Sequence, residues 1–562
     1  MRRFRPKSSA RTPRVPRIPT RRQQQIDELV ERFREELEER FGSSDEIMTI
    51  DEIEGAACDI RDNVGQAVAQ EITQAEADAA EAQENEKAVQ KEACQKCSRI
   101  RQYRASQTRT VVTMAGDVVV RRRVYHCRRC KQCTMPVDYR LRLPEHRYTS
   151  QVERWVAQLC VKDTFERSMR ELLELGRVQV SAKEAQRICL EMGSYAQKEM
   201  RGDRERVLPR NPTCVHLRGR NPEGLGPQHH DPSMTGYISM DGVMVPRDRR
   251  EHGKHENHGE HEKILTEAKL GHVELVQETP GREEPGKTLK SLHCFHLGGP
   301  DECAEQTYAL ACRAGVTELS RLVVVADGAE WIWKRAAQYF PDATQILDWY
   351  HAVEHVAEVV RHCVSAEMMA SSQAGKRGRP EKCPTETNDQ PRIQPIHAMQ
   401  RKNSGDGENC GHVMSGQPLN EHLNEHFNEQ QLKSECDRRL KPLKDLMWNG
   451  DVPKLLAGIS ELPQVNEEAA TKVKAAVGYF RGQAKRMRYD QYREKGFRVG
   501  SGAMESACKQ VVSTRMKGAG MRWSEAGAQA IGHLRALYLS TDRWSEVIGS
   551  WQGRRLVAVP LC

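Results

Sequence analysis

Aromatic side chains are scarce in this sequence: Phe, Trp and Tyr make up 5% of 562 residues, and the whole apolar fraction is 38%. With 30% charged residues as well, the chain reads as solvated helix and disordered linker around modest cores. No apolar run approaches the roughly 18 residues that a membrane helix needs, which excludes a spanning segment. The N-terminal segment MRRFRPKSSARTPRVPRIPTRR is basic and proline-rich but has no apolar stretch. It therefore lacks the pattern of a secretory signal, and the expected location is the cytoplasm. A large excess of one charge is missing too. There are 87 basic against 79 acidic residues, a net +8, and the pI is about 8.6. That balance is compatible with a polyanion partner without demanding one. Cysteine, by contrast, is plentiful at 18 residues. Without a secretory signal these read as free thiols, or as metal ligands where they are regularly spaced.

The chain divides by texture. Residues 1–22 form a basic arm, expected to be disordered and able to lie along phosphates or to act as a solubilising tail. Residues 23–92 read as helical, opening on QQQIDELVERFREELEERF with Ile26, Leu29, Val30, Phe33 and Leu37 at three- and four-residue spacing. Residues 93–145 hold two cysteine pairs around β-branched runs with AGD as the turn. Residues 146–212 are helical again, with a glycine junction that permits a helix-turn-helix. An α/β segment over 232–365 runs strand, strand, strand, helix, strand, helix, strand, helix. Its strands are MTGYISMDGVMV, KILTEAKLGHVELV, SLHCFHLG, RLVVVAD and TQIL. Residues 366–497 form a helical insertion with a disordered part, 498–545 carry the glycine-studded GSGAMESACKQVVSTRMKGAGMRWS, and 546–562 are a tail.

Two constellations carry chemistry. Cys94-Gln-Lys-Cys97 and Cys127-Arg-Arg-Cys130 present two thiolates per tight knuckle, the four soft ligands that tetrahedral Zn²⁺ takes. Cys133 competes with Cys130 for the fourth place. Arg121, Arg122, Arg123, Arg128 and Arg129 give this ribbon a basic face that suits DNA; a purely structural clip is the alternative. The second constellation is acidic. Asp241 lies in the first α/β strand, and Asp327 ends the buried VVVAD strand, where an aspartate points into the ligand crevice of such sheets. Paired carboxylates repel unless a cation compensates, and hard oxygen donors favour Mg²⁺ or Mn²⁺. Glu505, after a Gly-Ser-Gly turn, is the candidate third ligand; a helix-start residue or a partner for Lys509 is the alternative.

The stretches DGVMVP, ADGAEWIW, ILDWYHAVEHV and GSGAMESACKQ with RMKGAGMRWS resemble a bacterial insertion-sequence DDE transposase of the ISKra group, distantly akin to Mutator-like elements. The resemblance covers about residues 90–550. It implies an RNase H-like α/β core, interrupted by the helical insertion and preceded by helical segments and a zinc ribbon. Its acidic triad would fall on Asp241, Asp327 and Glu505. Asp348 and His351 match an aspartate-x-x-histidine signature that would orient substrate or a triad member; a strand-to-helix cap with a buried histidine is the other reading. The implied activity is two-metal cleavage at transposon ends followed by strand transfer into target DNA. Lys509, Arg515 and Lys517 are candidates for phosphate contact beside the site. Trp331 and Trp333 read as core, with base stacking as the alternative. A DNA-binding homodimer or larger assembly is expected by analogy. A catalytically lapsed regulator and a structure-specific nuclease are the competing classes. His252, His255, His258 and His261 recur every third residue in a run that fits neither helix nor strand and reads as a polar loop.

Overall fold

The computed structural model describes residues 20–42, 47–86, 94, 96–208, 233–248, 265–278, 286–377 and 419–552. Most of the basic arm, the histidine run 252–261 and the tail from residue 553 lie outside these. The protein is mixed α/β with two sheets. No helix among the described residues is long and apolar enough to cross a membrane.

The first part pairs two helices with a hairpin. Helices α1 (Thr20–Phe41) and α2 (Ile50–Glu86) precede β1 (Gln102–Thr113) and β2 (Gly116–His126), an antiparallel pair closed by a two-residue turn, with the short β3 (Cys133–Thr134) beside β2. Helix α2 covers the free edge of β2 with its side chains. Gln70 both donates to the Val119 carbonyl (2.9 Å) and accepts from the Val119 N–H (2.7 Å); Gln74 and Glu81 accept from the N–H of Arg121 and Arg123 at 2.9 and 2.8 Å. From Gln70 to Gln74 the match is geometric: four helical residues rise about 6 Å, and two strand residues advance about 6.6 Å. An edge with its N–H groups satisfied in this way is a poor template for another strand. A small core of Val111, Val118, Val120, Ala77, Val137 and Leu143 lies beneath, Val137 being on α3 (Pro136–Arg140).

Helices α4 (Ser150–Cys160), α5 (Phe165–Gly176) and α6 (Ala182–Val207) follow, each started by a hydroxyl N-cap: Thr149, Thr164 and Ser181 accept from the N–H three residues on. The main sheet comprises β4 (Met234–Pro246), β5 (Leu265–Gln277), β6 (Lys287–Leu297), β7 (Leu322–Ala326) and β8 (Thr344–Leu347), in the order β6-β5-β4-β7-β8. The first three strands are antiparallel, while β4, β7 and β8 are parallel. The parallel β7, LVVVA, is a continuous apolar run, as a strand buried on both faces requires. Helix α7 (Pro300–Ala314) packs one face of β5 and β6, and α8 (Glu330–Tyr339) joins β7 to β8. Helix α9 (Trp349–Arg377) leaves β8 and packs against α10 (Leu419–Trp448) and α12 (Glu467–Gln483); α11 (Val452–Ser460) and α13 (Tyr489–Glu494) complete this helical part. The chain then returns through α14 (Gly502–Cys508), a π-helical turn (Lys509–Ser513), α15 (Thr514–Met516), α16 (Glu525–Leu539) and α17 (Arg543–Val547). Helix α16 covers the other face of β6 and lies along α6. One apolar core runs from α4–α6 through the sheet to α9–α13. The five strands match the sequence expectation, and the described residues of 366–497 are largely helical. The segment after Glu505 is helical through Met516, with one π-helical turn inside the run.

Candidate functional site

Register brings the aspartates together. Strand β4 pairs with β7 through Ile238↔Val324, and β7 with β8 through Ala326↔Leu347. Counting on along each pair, Asp241 falls opposite Asp327, and Asp327 opposite Asp348. The three acids therefore stand in one row across three adjoining parallel strands, Asp241 within β4 and Asp327 and Asp348 just past the ends of β7 and β8. Burial pushes the Asp241 carboxyl up from its usual range, and the nearby Asp327 charge adds to this; the Gly242 N–H, the Cys508 thiol and His351 pull the other way. Both Asp241 oxygens are held, Oδ1 by the Gly242 N–H (2.6 Å) and Oδ2 by the Cys508 thiol (3.4 Å). Asp327 accepts from the Ala329 N–H at 3.0 Å, which fixes the turn into α8.

Helix α14 lies against β4. Glu505 is in its first turn, and Cys508, three residues on, shares its face. Burial and the Asp241 charge raise the Cys508 pKa, so its thiol keeps its proton and donates it to Asp241. Spacing from Glu505 offered this residue once a helix was assumed. Glu505 itself is exposed. The three carboxylates expected as a triad do not converge within 4.8 Å.

Asp348 is buried and ties the row to the entry of α14. Its carboxylate accepts from the Ser501 hydroxyl and from the Tyr350 N–H (2.9 Å), while its own N–H donates to the Ala326 carbonyl (2.8 Å). The adjoining Trp349 N–H reaches the Val499 carbonyl at 2.9 Å. His351 is not the buried histidine of the capping alternative: its side chain is 45% exposed, and its ring meets His355 edge-on at 5.6 Å. His355 in turn lies 4.7 Å from the Tyr479 ring. Tyr479, on α12, sits over the Asp327 turn so closely that a Cβ on Gly328 would collide with its hydroxyl. That hydroxyl is buried without a hydrogen-bond partner. Gln483 on the same helix donates to the Gly328 carbonyl at 3.3 Å. The insertion thus supports the Asp327 turn, which no local sequence signal indicated.

Of the expected DNA contacts, Lys509, Lys517, Arg128 and Arg129 are exposed, but Arg515 is not. It is 2% exposed, donates to the Cys160 carbonyl at 2.8 Å and lies between the rings of Phe165 (5.2 Å) and Trp523 (5.0 Å). Together with Arg535, which bonds the carbonyls of Val161 and Val511, it satisfies the C-terminal end of α4. Arg515 is a structural tie, not a phosphate ligand. Two arginines of β2 are also spent internally, Arg122 on Asp138 and Arg123 on Glu81 (3.0 Å), while the exposed Arg121 pairs more loosely with Asp78 (4.0 Å). Trp333 is buried beneath Arg486, and Trp331 stacks under Lys269 at 4.6 Å.

The cysteine pairs form a cluster. Cys94, Cys97, Cys127 and Cys130 offer sulfurs all within 4.8 Å of one another, an arrangement that can hold a metal such as zinc. The two knuckles repeat one geometry: the Ser98 N–H donates to the Cys94 carbonyl and the Lys131 N–H to the Cys127 carbonyl, and both residues have left-handed φ, at 55° and 59°. Cys133 is exposed, with Arg104 beside its sulfur, so Cys130 takes the fourth place. The thiols share protons unequally. Burial opposes ionisation of Cys94, but the Lys96 N–H and the neighbouring thiols bring it down to about 6. The contact with Cys97, then burial, pushes Cys130 up to about 12. Four thiols this close cannot all ionise without a cation, and a divalent soft ion would remove that conflict.

No protein-family model matches the chain, and no curated protein matches it either.

Proposed function

We propose that the chain is a DDE transposase with an RNase H-like core, cutting DNA at the ends of a mobile element and joining those ends to target DNA. The observation that carries this reading is the row of Asp241, Asp327 and Asp348 across β4, β7 and β8, with α14, the helix that carries Glu505, packed against β4. The strand order, three antiparallel then two parallel, and the helical part between β8 and α14 suit the resemblance as well.

The donor set is oxygen, apart from a thiol that stays protonated, which matches hard divalent cations. Asp241, Asp327 and Glu505 are the residues that would hold Mg²⁺ or Mn²⁺. Such ions supply Lewis acidity to the attacking and leaving oxygens of an in-line displacement. The chain's own part is placement. Gly242 and Cys508 fix the Asp241 rotamer, Ala329 fixes Asp327, and Asp348 with Ser501 sets the approach of α14. Lys509 and Lys517 are exposed on the segment after Glu505 and suit backbone phosphates; Arg128 and Arg129 do so at the second knuckle. In this reading the four cysteines carry Zn²⁺ as a ribbon that braces the DNA-facing hairpin, the protein acts in the cytoplasm on the nucleoid, and a dimer bridges two ends.

The exposed position of Glu505 also fits a DNA-binding regulator without catalysis. Incubating the full chain with Mg²⁺ and duplex DNA from the flanks of its gene separates the classes. A transposase gives nicks with 3′-hydroxyl ends and joined strands, both lost with chelator. Cutting without joining indicates a nuclease, and binding alone a regulator.

A further inference from the structure

Helix α1 carries an apolar stripe that the other described residues leave largely uncovered. Ile26, Val30, Phe33 and Leu37 recur at intervals of four, three and four residues, the spacing of a coiled-coil seam. Val30, Phe33 and Leu37 are between 37% and 58% exposed, and none of the four joins either apolar core. What α1 offers to α2 is a polar flank: the Asn63 amide donates to Glu36 at 3.3 Å, and the Arg40 guanidinium to Asp59 at 3.4 Å. By helical periodicity Glu36 and Arg40 lie about a quarter-turn from the centre of the stripe, so docking on α2 leaves the stripe facing outward. Phe41, one turn beyond it, is exposed, and so are Ile50 and Ile53 in the opening turn of α2. Single apolar side chains are ordinary on a surface, but a seam of them rimmed by charge marks a site of association.

The charges at the rim choose the partner. The flank of the stripe away from α2 bears Asp27 and Arg34, one heptad apart and so on the same side. An antiparallel pair of α1 helices, centred between Val30 and Phe33, sets Ile26 against the partner's Leu37 and Val30 against the partner's Phe33. Each open flank then meets its own copy, which brings Asp27 beside the partner's Arg34 at two symmetric contacts. A parallel pair sets the open flank against the one that α2 covers, and the match of opposite charges is lost. Within the single chain Asp27 accepts from Gln23 at 3.0 Å and Arg34 pairs with Glu38 at 2.9 Å, both on the surface. Such exposed contacts hold little energy and can yield to a pair between chains.

We propose that α1 is a self-association surface: two copies of the chain pair antiparallel through Ile26, Val30, Phe33 and Leu37, with or without DNA. The pairing stands on α1 alone and does not depend on the reaction assigned above.

Sedimentation equilibrium of the full chain, with no DNA, tests this. The expected species at micromolar concentration is a dimer, twice the 64.0 kDa of the chain. Val30→Glu combined with Leu37→Glu puts carboxylates into the seam and is expected to weaken the dimer at least about a hundredfold; circular dichroism shows that this variant is folded. Asp27→Arg and Arg34→Asp each set like charges together and are expected to weaken it about tenfold. Mixed with each other, these two single variants oppose unlike charges at both contacts and are expected to recover the wild-type affinity. A wild type that stays monomeric, its stripe covered by another segment of the chain or by none, overturns the proposal. So does a dimer that the seam variant leaves intact, which places the interface elsewhere. Failure of the mixed variants to recover overturns the antiparallel pairing.

Discussion

Single residues show where sequence reasoning reaches and where it stops. Asp241 and Asp327 were legible because each sits beside a glycine in or after an apolar strand. That Asp348 continues their row depends on parallel register, which no local pattern specifies. Arg515 was misjudged for the opposite reason: a basic residue on a glycine-rich segment looks solvated until α4 supplies carbonyls for it to cap. Tyr479 gave no signal at all. Its buried, unpartnered hydroxyl should cost stability, at about 1–3 kcal/mol for such a group. Tyr479→Phe is therefore expected to melt higher than the wild type; a variant that melts lower would contradict an unsatisfied hydroxyl there. Glu153 offers a separate check. Burial raises its pKa to about 7, while the Trp551 indole donates to it at 2.7 Å. A carboxyl raised on folding stabilises the protein fully below the unfolded value near 4.5, and that contribution is lost as pH rises through 7. Glu153→Gln keeps an acceptor for the indole and is expected to gain about 1–2 kcal/mol at pH 8, with no gain at pH 4, in denaturant titrations.

At the scale of elements, alternation and apolar runs were enough to read all five strands of the main sheet and the helices between them. What they missed lies between elements. The glutamines of α2 look like an ordinary polar helix face, and their pairing with the edge of β2 appears only once the two rises are matched. The basic face of the hairpin is thinned for the same reason, since α2 and α3 supply acids to Arg121, Arg122 and Arg123. The π-helical turn after α14 widens a helix that otherwise continues to Met516, a local change that propensity does not signal. The knuckles decide between Cys130 and Cys133, which spacing left open. Metal analysis of purified protein is expected to find bound zinc in the wild type and in Cys133→Ser, and to lose it in Cys130→Ser. Zinc lost from Cys133→Ser and kept by Cys130→Ser would reverse the assignment.

Across the whole molecule, the main core is continuous from α4–α6 to the insertion, so ionisation deep within it affects the stability of the whole. His272, His293 and His533 are buried and their pKa values lowered by that burial, His293 to about 4 and His533 to about 3. A histidine depressed on folding contributes stability that is present above its unfolded value, 6.5, and lost as pH falls toward the folded one. Denaturation free energy is expected to drop steadily below pH about 6.5, by roughly 1 kcal/mol per pH unit for each group while it titrates; a flat profile down to pH 4 would contradict the burial of these rings. The same continuity lets α12, distant in sequence, brace the Asp327 turn, so the acidic row belongs to the sheet and the insertion together. The most direct test of that row is Mg²⁺-dependent cleavage of DNA carrying the element's ends by Asp241→Asn, Asp327→Asn and Glu505→Gln, each verified as folded and DNA-bound. Loss of cleavage by at least about a thousandfold in all three is the expected result; cleavage retained in any one of them would remove that residue from the site and contradict the triad.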